Sequence, residues 1–412
     1  MNRIEREDAL ELDRADRLAA FRDRFVLPEG RLYLDGNSLG ALPRATSDAV
    51  QRVVSAQWGQ DLIAGWNAHD WIGLPQRIGA AIAPLIGAKP DEVLVCDSTS
   101  VNLFKLIAGA LLLRPERSVI LSEPGNFPTD LYVAEGVAAL RGGVRIDLHE
   151  ADSIAEAIDE TTALVLLTHV HYTTGRMLDM AAITRAAHAK GALVLWDLSH
   201  STGAVPVALN ESGADLAVGC GYKYLNGGPG APAFLFVAEA LQTQIRQPLS
   251  GWMGHDSPFA FEDSYRPAAR LDRFLCGTPS VIGMAALEAG VAQFRDVDLP
   301  ALFAKGRALS ALLVRLMGER CAGFGFQLAS PGNAEERGCH VSFRHADAYP
   351  VCQALIARGV VGDFRAPDRL RFGMAPLYTR FADVFDAVAH LETVMRDRLW
   401  TEPRFQLRGR VT

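Results

Sequence analysis

The sequence predicts an α/β fold, a mainly parallel sheet covered by helices, followed by a smaller C-terminal α+β domain. Three observations predict it. Short, continuous apolar runs alternate with helical stretches from about residue 91 onward, the pattern of strands buried on both faces. The chain has 412 residues, 49% of them hydrophobic, enough for a sizeable core and for two or three domains. Beyond residue 290 the pattern changes to longer helical stretches with a few short strands.

Taken in order, residues 5–25 read as an amphipathic helix, followed by a turn-rich segment at 34–40. Strands are expected at 93–96, 118–122, 144–148, 164–168, 193–197, 216–220 and 233–237, with helices between them such as 101–113 and 181–190. Residues 291–317, 349–358 and 381–399 read as helices, and 340–344 and 369–373 as strands. The expected division is a segment 1–44 packing with the small domain, a large domain 45–290 and a small domain 291–412.

A net charge of −7 argues against a nucleic-acid binder, which shows a basic face. The start of the chain is acid-rich (Glu5, Glu7, Asp8, Glu11, Asp13), unlike a signal or transit peptide. The longest apolar runs, such as 107–113, are too short to span a bilayer. The six cysteines (96, 220, 276, 321, 339 and 352) contain no CxxC pair. They read as reduced thiols of a cytoplasmic protein.

In an open parallel sheet, ligands bind beyond the carboxyl ends of the strands, so the residues just after each run carry the functional information. Asp97-Ser98-Thr99-Ser100 opens a helix, where hydroxyls either cap the helix or help its free amides hold a phosphate. The strand 193–197 ends on Asp197, either a cap for the next turn or the anionic partner of a protonated heterocycle. After 216–220 comes Tyr222-Lys223-Tyr224 and a Gly-rich turn. Lys223 is either a surface amine between packing tyrosines or an amine desolvated enough to be a nucleophile. An Asp ending one strand, with a Lys past another about 25 residues later, is the arrangement of a pyridoxal-5′-phosphate (PLP) site. Phe127 is either a core residue or a ring that stacks on a cofactor. His169 and His171 fall on one strand face, but nothing nearby completes a zinc site, and no metal is expected. Trp66 and Trp71 are core residues or stack on an aromatic substrate. Arg371, in an apolar strand, wants a fork-shaped anion, either an internal Asp or Glu or a substrate carboxylate.

Taken together these stretches resemble the kynureninases, PLP enzymes of the aspartate-aminotransferase (type I) fold. The resemblance rests on LDGNSLG (34–40), SVNL (100–103), FPTD (127–130), HYTTG (171–175), DLSH (197–200), GYKYLN (221–226), GWMGH (251–255) and APLY (375–378). It implies that Lys223 holds the cofactor as a Schiff base, that Asp197 faces its ring nitrogen and that Phe127 stacks on the ring. Thr99, Ser100, Tyr222, Trp252 and Thr278 would surround the phosphate, with Trp252 and Thr278 lent by a second subunit of a homodimer. Pro128, Thr129, Asp130, Thr168 and His200 would complete the cofactor site. Arg371 would bind the substrate carboxylate, with Trp66 and Asn37 also at the substrate. The implied reaction is hydrolysis of L-kynurenine to anthranilate and L-alanine in tryptophan catabolism, with 3-hydroxykynurenine as a second candidate substrate and Tyr222 moving a proton. The competing enzyme is a cysteine desulfurase, which needs a nucleophilic Cys on a mobile loop, and Cys339 is the candidate. That group usually carries a His directly before the cofactor Lys, and here the residue is Tyr222. A PLP-fold binding protein without turnover is the reading from another class. The intact Lys223, Asp197 and Arg371 disfavour it.

Overall fold

The computed structural model describes residues 3–409. In chain order the elements used below are α1 (Arg6–Ala15), β1 (Val93–Val95), α2 (Thr99–Leu113), β2 (Val119–Ser122), α3 (Pro128–Arg141), β3 (Arg145–Leu148), β4 (Thr162–Thr168), α4 (Met180–Ala189), β5 (Leu193–Asp197), β6 (Leu216–Gly219), β7 (Phe234–Val237), α5 (Val281–Val291), α6 (Leu299–Arg320), β8 (Gln327–Leu328), β9 (His340–Arg344), α7 (Ala348–Ala357), β10 (Asp363–Arg365), β11 (Arg369–Gly373) and α8 (Phe381–Arg396).

The chain forms two compact units. The larger holds Ala45–His169 and Leu178–Arg295; the smaller holds the residues up to Arg44, Val170–Met177 and those from Asp296 on.

The larger unit is built on a seven-stranded sheet of order β1-β7-β6-β5-β4-β2-β3. It is parallel except at β7, which runs against both of its neighbours. All seven residues of β4 are buried, as two-sided burial requires, which is why the run reads as continuous rather than alternating. Leu103, Leu106, Ile107 and Leu111 of α2 pack with Leu164, Leu195 and Leu235 of the sheet. The register pairs Thr168 with Asp197 at the carboxyl ends of β4 and β5, so their side chains start level with one another.

The smaller unit carries an antiparallel sheet of order β8-β9-β11-β10, with Ser342 and Asp363 both opposite Arg371. Its core includes Leu309 and Leu313 of α6, Val351 and Leu355 of α7, and Val384, Val388 and Leu391 of α8.

Two expected helices are cut short where an aspartate finds better use outside them. The helix read over 5–25 ends at Ala15 and gives way to a 3-10 turn at Ala19–Arg24. Asp16 adopts an extended conformation and meets the buried Lys305 at 2.7 Å. The helix read over 291–317 starts later than expected. Val291 ends α5, a 3-10 turn follows at Ala292–Phe294, and α6 begins only after Asp298 accepts a cap bond from the Ala301 amide at 3.3 Å, the usual task of an N-cap aspartate.

Candidate active site

Four strand ends of the larger unit converge on one cluster. Beyond β6, a tight turn sets Lys223. Gly227 N donates to Gly221 O at 2.9 Å and Asn226 N to Lys223 O at 2.9 Å, and Asn226 takes a left-handed φ of 57°. At Gly221 a Cβ would stand 2.3 Å from the Pro232 carbonyl oxygen, so only glycine lets the turn close against that backbone. The turn leaves Lys223 8% exposed. Its Nζ is 3.0 Å from His200 Nε2 and within 6 Å of two rings, at 5.8 Å from the Phe127 centroid and 5.7 Å from that of Tyr222.

Asp197 closes β5 and is buried; one carboxyl oxygen accepts from Ser199 N at 2.8 Å. Burial raises its proton affinity above that of an ordinary carboxylate, and the ammonium of Lys223 opposes the rise. Asp130 stands at the start of α3, after Pro128 and Thr129 in the first turn. It is fully buried and accepts from Thr168 Oγ1 at 3.4 Å. Burial first, and the neighbouring Asp197 second, push its carboxyl well above the usual range, as expected when two carboxyls share a dry site. Oδ1 of Asp130 has no hydrogen-bond partner among the described residues.

This donor set fits PLP. It offers an amine for an aldehyde, a buried carboxylate for a protonated ring nitrogen, an aromatic beside the amine, and a buried oxygen still lacking a donor.

The other expected site residues have these surroundings. Thr99 and Ser100 form the first turn of α2, where amides lack partners within the helix; Ser98, rather than either of them, caps it by accepting from Val101 N at 3.4 Å. Thr278 and Ser280 line a cavity of about 300 Å³ together with Asp97 and Ser98. Trp252 lies on an exposed face, stacked on Phe261 at 6.4 Å and edge-on to Phe259 at 5.6 Å. Trp66 packs edge-on against Trp71 at 5.7 Å.

The smaller unit holds a second cluster. Arg371 is 1% exposed and donates to both oxygens of Asp363, from Nε at 2.8 Å and from Nη2. Nη2 also reaches Ser38 Oγ at 3.1 Å, and Nη1 donates to the Tyr172 carbonyl. With its amide oxygen turned to the guanidinium, the orientation that satisfies both groups, Asn37 accepts from Nη2 at 3.1 Å and Nε at 3.0 Å. The fork therefore has an internal carboxylate partner, one of the two partners the sequence allowed. Burial would raise Asp363, but the Arg371 bonds and charge hold it below the ordinary range. Nearby Asp35 is pushed up to about 7 by burial and by the charge of Asp363.

The two histidines are served separately. His169 Nδ1 is 2.9 Å from Ser201 Oγ, and burial lowers its pKa to about 4; His171 Nδ1 is 3.0 Å from Thr173 Oγ1. Cys339 is buried and its thiol pushed up to about 12, which removes the thiolate a desulfurase needs.

Sequence reasoning passed over three residues. Asn126 accepts from Thr168 Oγ1 and from Phe127 N, at 2.8 Å for the latter; its place directly before the FPTD stretch was the available signal. Ser199 was inside the DLSH stretch. Asp363 was marked only by its place in a short run that pairs with β11.

Comparison with known proteins separates fold from family. A model of the kynureninase C-terminal domain matches residues 302–391, and one of Cys/Met metabolism PLP-dependent enzymes matches 134–247. The apo structure of a cysteine desulfurase from Thermococcus onnurineus NA1 superimposes with a TM-score of 0.78 at 19% identity, over 92% of this chain and 98% of that one. The cysteine desulfurase CsdA from Escherichia coli does so with 0.77 at 20%, over the same shares. Those likenesses establish the type I fold alone. Kynureninases from Burkholderia mallei (strain SAVP1) and Pseudomonas fluorescens are 49% and 48% identical to this chain, each over 99% of both sequences. Identity of that extent over nearly the whole of both chains places this chain in the kynureninase family of PLP-dependent enzymes.

Proposed function

We infer that the chain hydrolyses the Cβ–Cγ bond of L-kynurenine to give anthranilate and L-alanine, the activity EC 3.7.1.3. The observation that carries the reading is the buried Lys223–His200 contact beside two carboxyls of raised proton affinity. PLP, when bound, supplies an electron sink for carbon–hydrogen and carbon–carbon cleavage.

The residues divide the remaining work. Lys223 takes the proton from the substrate α-carbon, with His200 holding the amine in place. Asp197 keeps the ring nitrogen protonated. Thr168, Asn126 and Asp130 form the hydrogen-bonded wall beside it, and Phe127 covers the ring. Tyr222 moves a proton at the substrate side chain. Thr99 and Ser100, at the positive end of α2, receive the phosphate. Arg371, held by Asp363 and Asn37, takes the substrate carboxylate, and Trp66 lies beside the substrate ring.

Trp252 and Thr278 serve a second copy in a homodimer. Support comes from the exposed aromatic face of Trp252, Phe259 and Phe261, which are 40%, 59% and 77% exposed, since an apolar face of this kind is a candidate protein–protein contact. Six free cysteines, five of them buried, support residence in the reducing cytoplasm. Among the described residues no helix is long and apolar enough to cross a membrane.

The test is direct. Adding L-kynurenine to the PLP-loaded protein should release anthranilate, read by its fluorescence, with L-alanine in equal amount. Sulfide release from L-cysteine without anthranilate would instead select the desulfurase branch.

A further inference from the structure

Helix α2 is apolar on nearly every side. Leu103, Leu106, Ile107, Ala110 and Leu111 are wholly buried. Among them sits a lysine, Lys105, whose side chain is also 0% exposed. A lone ammonium in such a place costs several kcal/mol unless it is paired and hydrogen-bonded. Lys105 is both. Its Nζ lies 2.5 Å from Asp97 Oδ2, donates to the Phe274 carbonyl and is 3.9 Å from Cys96 Sγ.

These partners belong to two separate stretches of chain. Asp97 is the turn between β1 and α2. It takes a left-handed φ of 47°, a conformation that costs a non-glycine residue free energy unless its surroundings impose it. Its carbonyl is fixed as well, accepting from Ala233 N at 2.9 Å. Phe274 lies four residues before Thr278. The two stretches meet again at the cavity of about 300 Å³, where Asp97 and Ser98 face Gly277, Thr278 and Ser280. One ammonium therefore braces both walls from behind without itself lining the cavity.

We propose that Lys105 is a positioning residue for the cofactor phosphate, acting through Asp97 and Phe274 to hold the start of α2 and the Thr278 segment in register. The proposal rests on the reading that Thr99 and Ser100 receive the phosphate of this chain's own cofactor and Thr278 that of the second copy's, so that one ammonium braces a contribution to each. It distinguishes Lys105 from a core ion pair that merely adds stability. A brace behind the phosphate site should matter for PLP and hardly at all for pyridoxal, which has the same ring and aldehyde but no phosphate.

The experiment measures PLP and pyridoxal dissociation constants of apoenzyme by cofactor absorbance, for wild type, Lys105→Met and the double variant Asp97→Asn/Lys105→Met. Lys105→Met should weaken PLP at least about tenfold and pyridoxal less than about threefold. The double variant no longer strands a carboxylate beside an apolar side chain. It should recover most of the lost melting temperature but not the PLP affinity, and so keeps the test open if the single variant folds poorly. Equal weakening of both ligands, or PLP affinity restored in the double variant, overturns the proposal and leaves Lys105 a structural ion pair. Wild type that takes up PLP and releases anthranilate while Lys105→Met binds PLP normally would sink this inference alone. Wild type that does neither would sink the functional reading with it.

Discussion

At the strand ends of the larger unit, two buried carboxyls, Asp130 and Asp197, share one ammonium, Lys223; in the smaller unit, Asp363 has the guanidinium of Arg371 on both its oxygens. The chemical groups are alike and the burial is alike, yet the proton affinities move in opposite directions: up for Asp130 and Asp197, down for Asp363. Burial raises all three; what differs is the geometry of the cation. A planar fork makes two bonds to one carboxylate and locks it as an anion, whereas a single ammonium shared with His200 cannot satisfy two carboxyls. The first cluster thus has unmet demand for a cation and a donor, as a cofactor site should. The second is preassembled, so that a ligand carboxylate would meet a guanidinium already fixed in direction.

The largest effect should come from removing the shared cation. Lys223→Ala should lose the borohydride-sensitive absorbance of bound PLP and about 10⁴-fold or more in turnover; a fully active variant would end the comparison. Asp197→Asn should keep bound PLP but slow deuterium exchange at the substrate α-carbon by about 10²–10³-fold, because the ring nitrogen loses its anionic partner. Unchanged exchange would make Asp197 only a cap for Ser199. In the second cluster, Arg371→Ala should weaken substrate binding by about 2–5 kcal/mol while cofactor content stays near wild type. Loss of PLP with intact substrate affinity would reassign the residue.

Asp35 gives a prediction with a sign in pH. Its folded pKa, about 7, lies above the ordinary 3.8. The stability it contributes is therefore fully present below about pH 4 and is lost as pH rises through 7. Asp35→Asn should gain about 4 kcal/mol over wild type at pH 8 and little at pH 4, as read by urea unfolding at the two pH values. A gain of equal size at both would deny the raised affinity. The smallest effect belongs to Cys339→Ser, which should retain anthranilate formation within a few-fold, since a thiol pushed up to about 12 takes no part as nucleophile.

Much of this was legible in the sequence. All seven expected strands of the large sheet are present within about two residues of their expected ends; in six of them two-sided burial writes itself as a nearly uninterrupted apolar run, whereas the edge strand β3 is at most half-buried. The reversed direction of β7 was not legible, since a buried strand carries the same residues whichever way it runs. The late start of α6 within 291–317 turned on Asp298 and Pro300, a helix start that periodicity alone passes over. At the site, Lys223 and Asp197 announced themselves by ending apolar strands. Asp363 did not, because its partner lies across a strand pair and not along the chain, and pairing leaves no local trace.

The same holds for the pair Asp16 and Lys305, and that pair constrains how the chain comes to be folded. Asp13, three residues earlier, caps α8 by accepting from Phe381 N at 2.7 Å and Ala382 N at 3.0 Å. The buried carboxylate just past α1 thus depends on a lysine nearly three hundred residues further along the chain. At about 5–20 residues per second, it waits roughly fifteen seconds to a minute for that partner. Throughout that interval the acidic segment around α1 has no native partner for its inner face, while the larger unit's strands are emerging beside it. The charge that marks residues 5–13 suits that interval, because charged segments stay solvated rather than joining apolar strands.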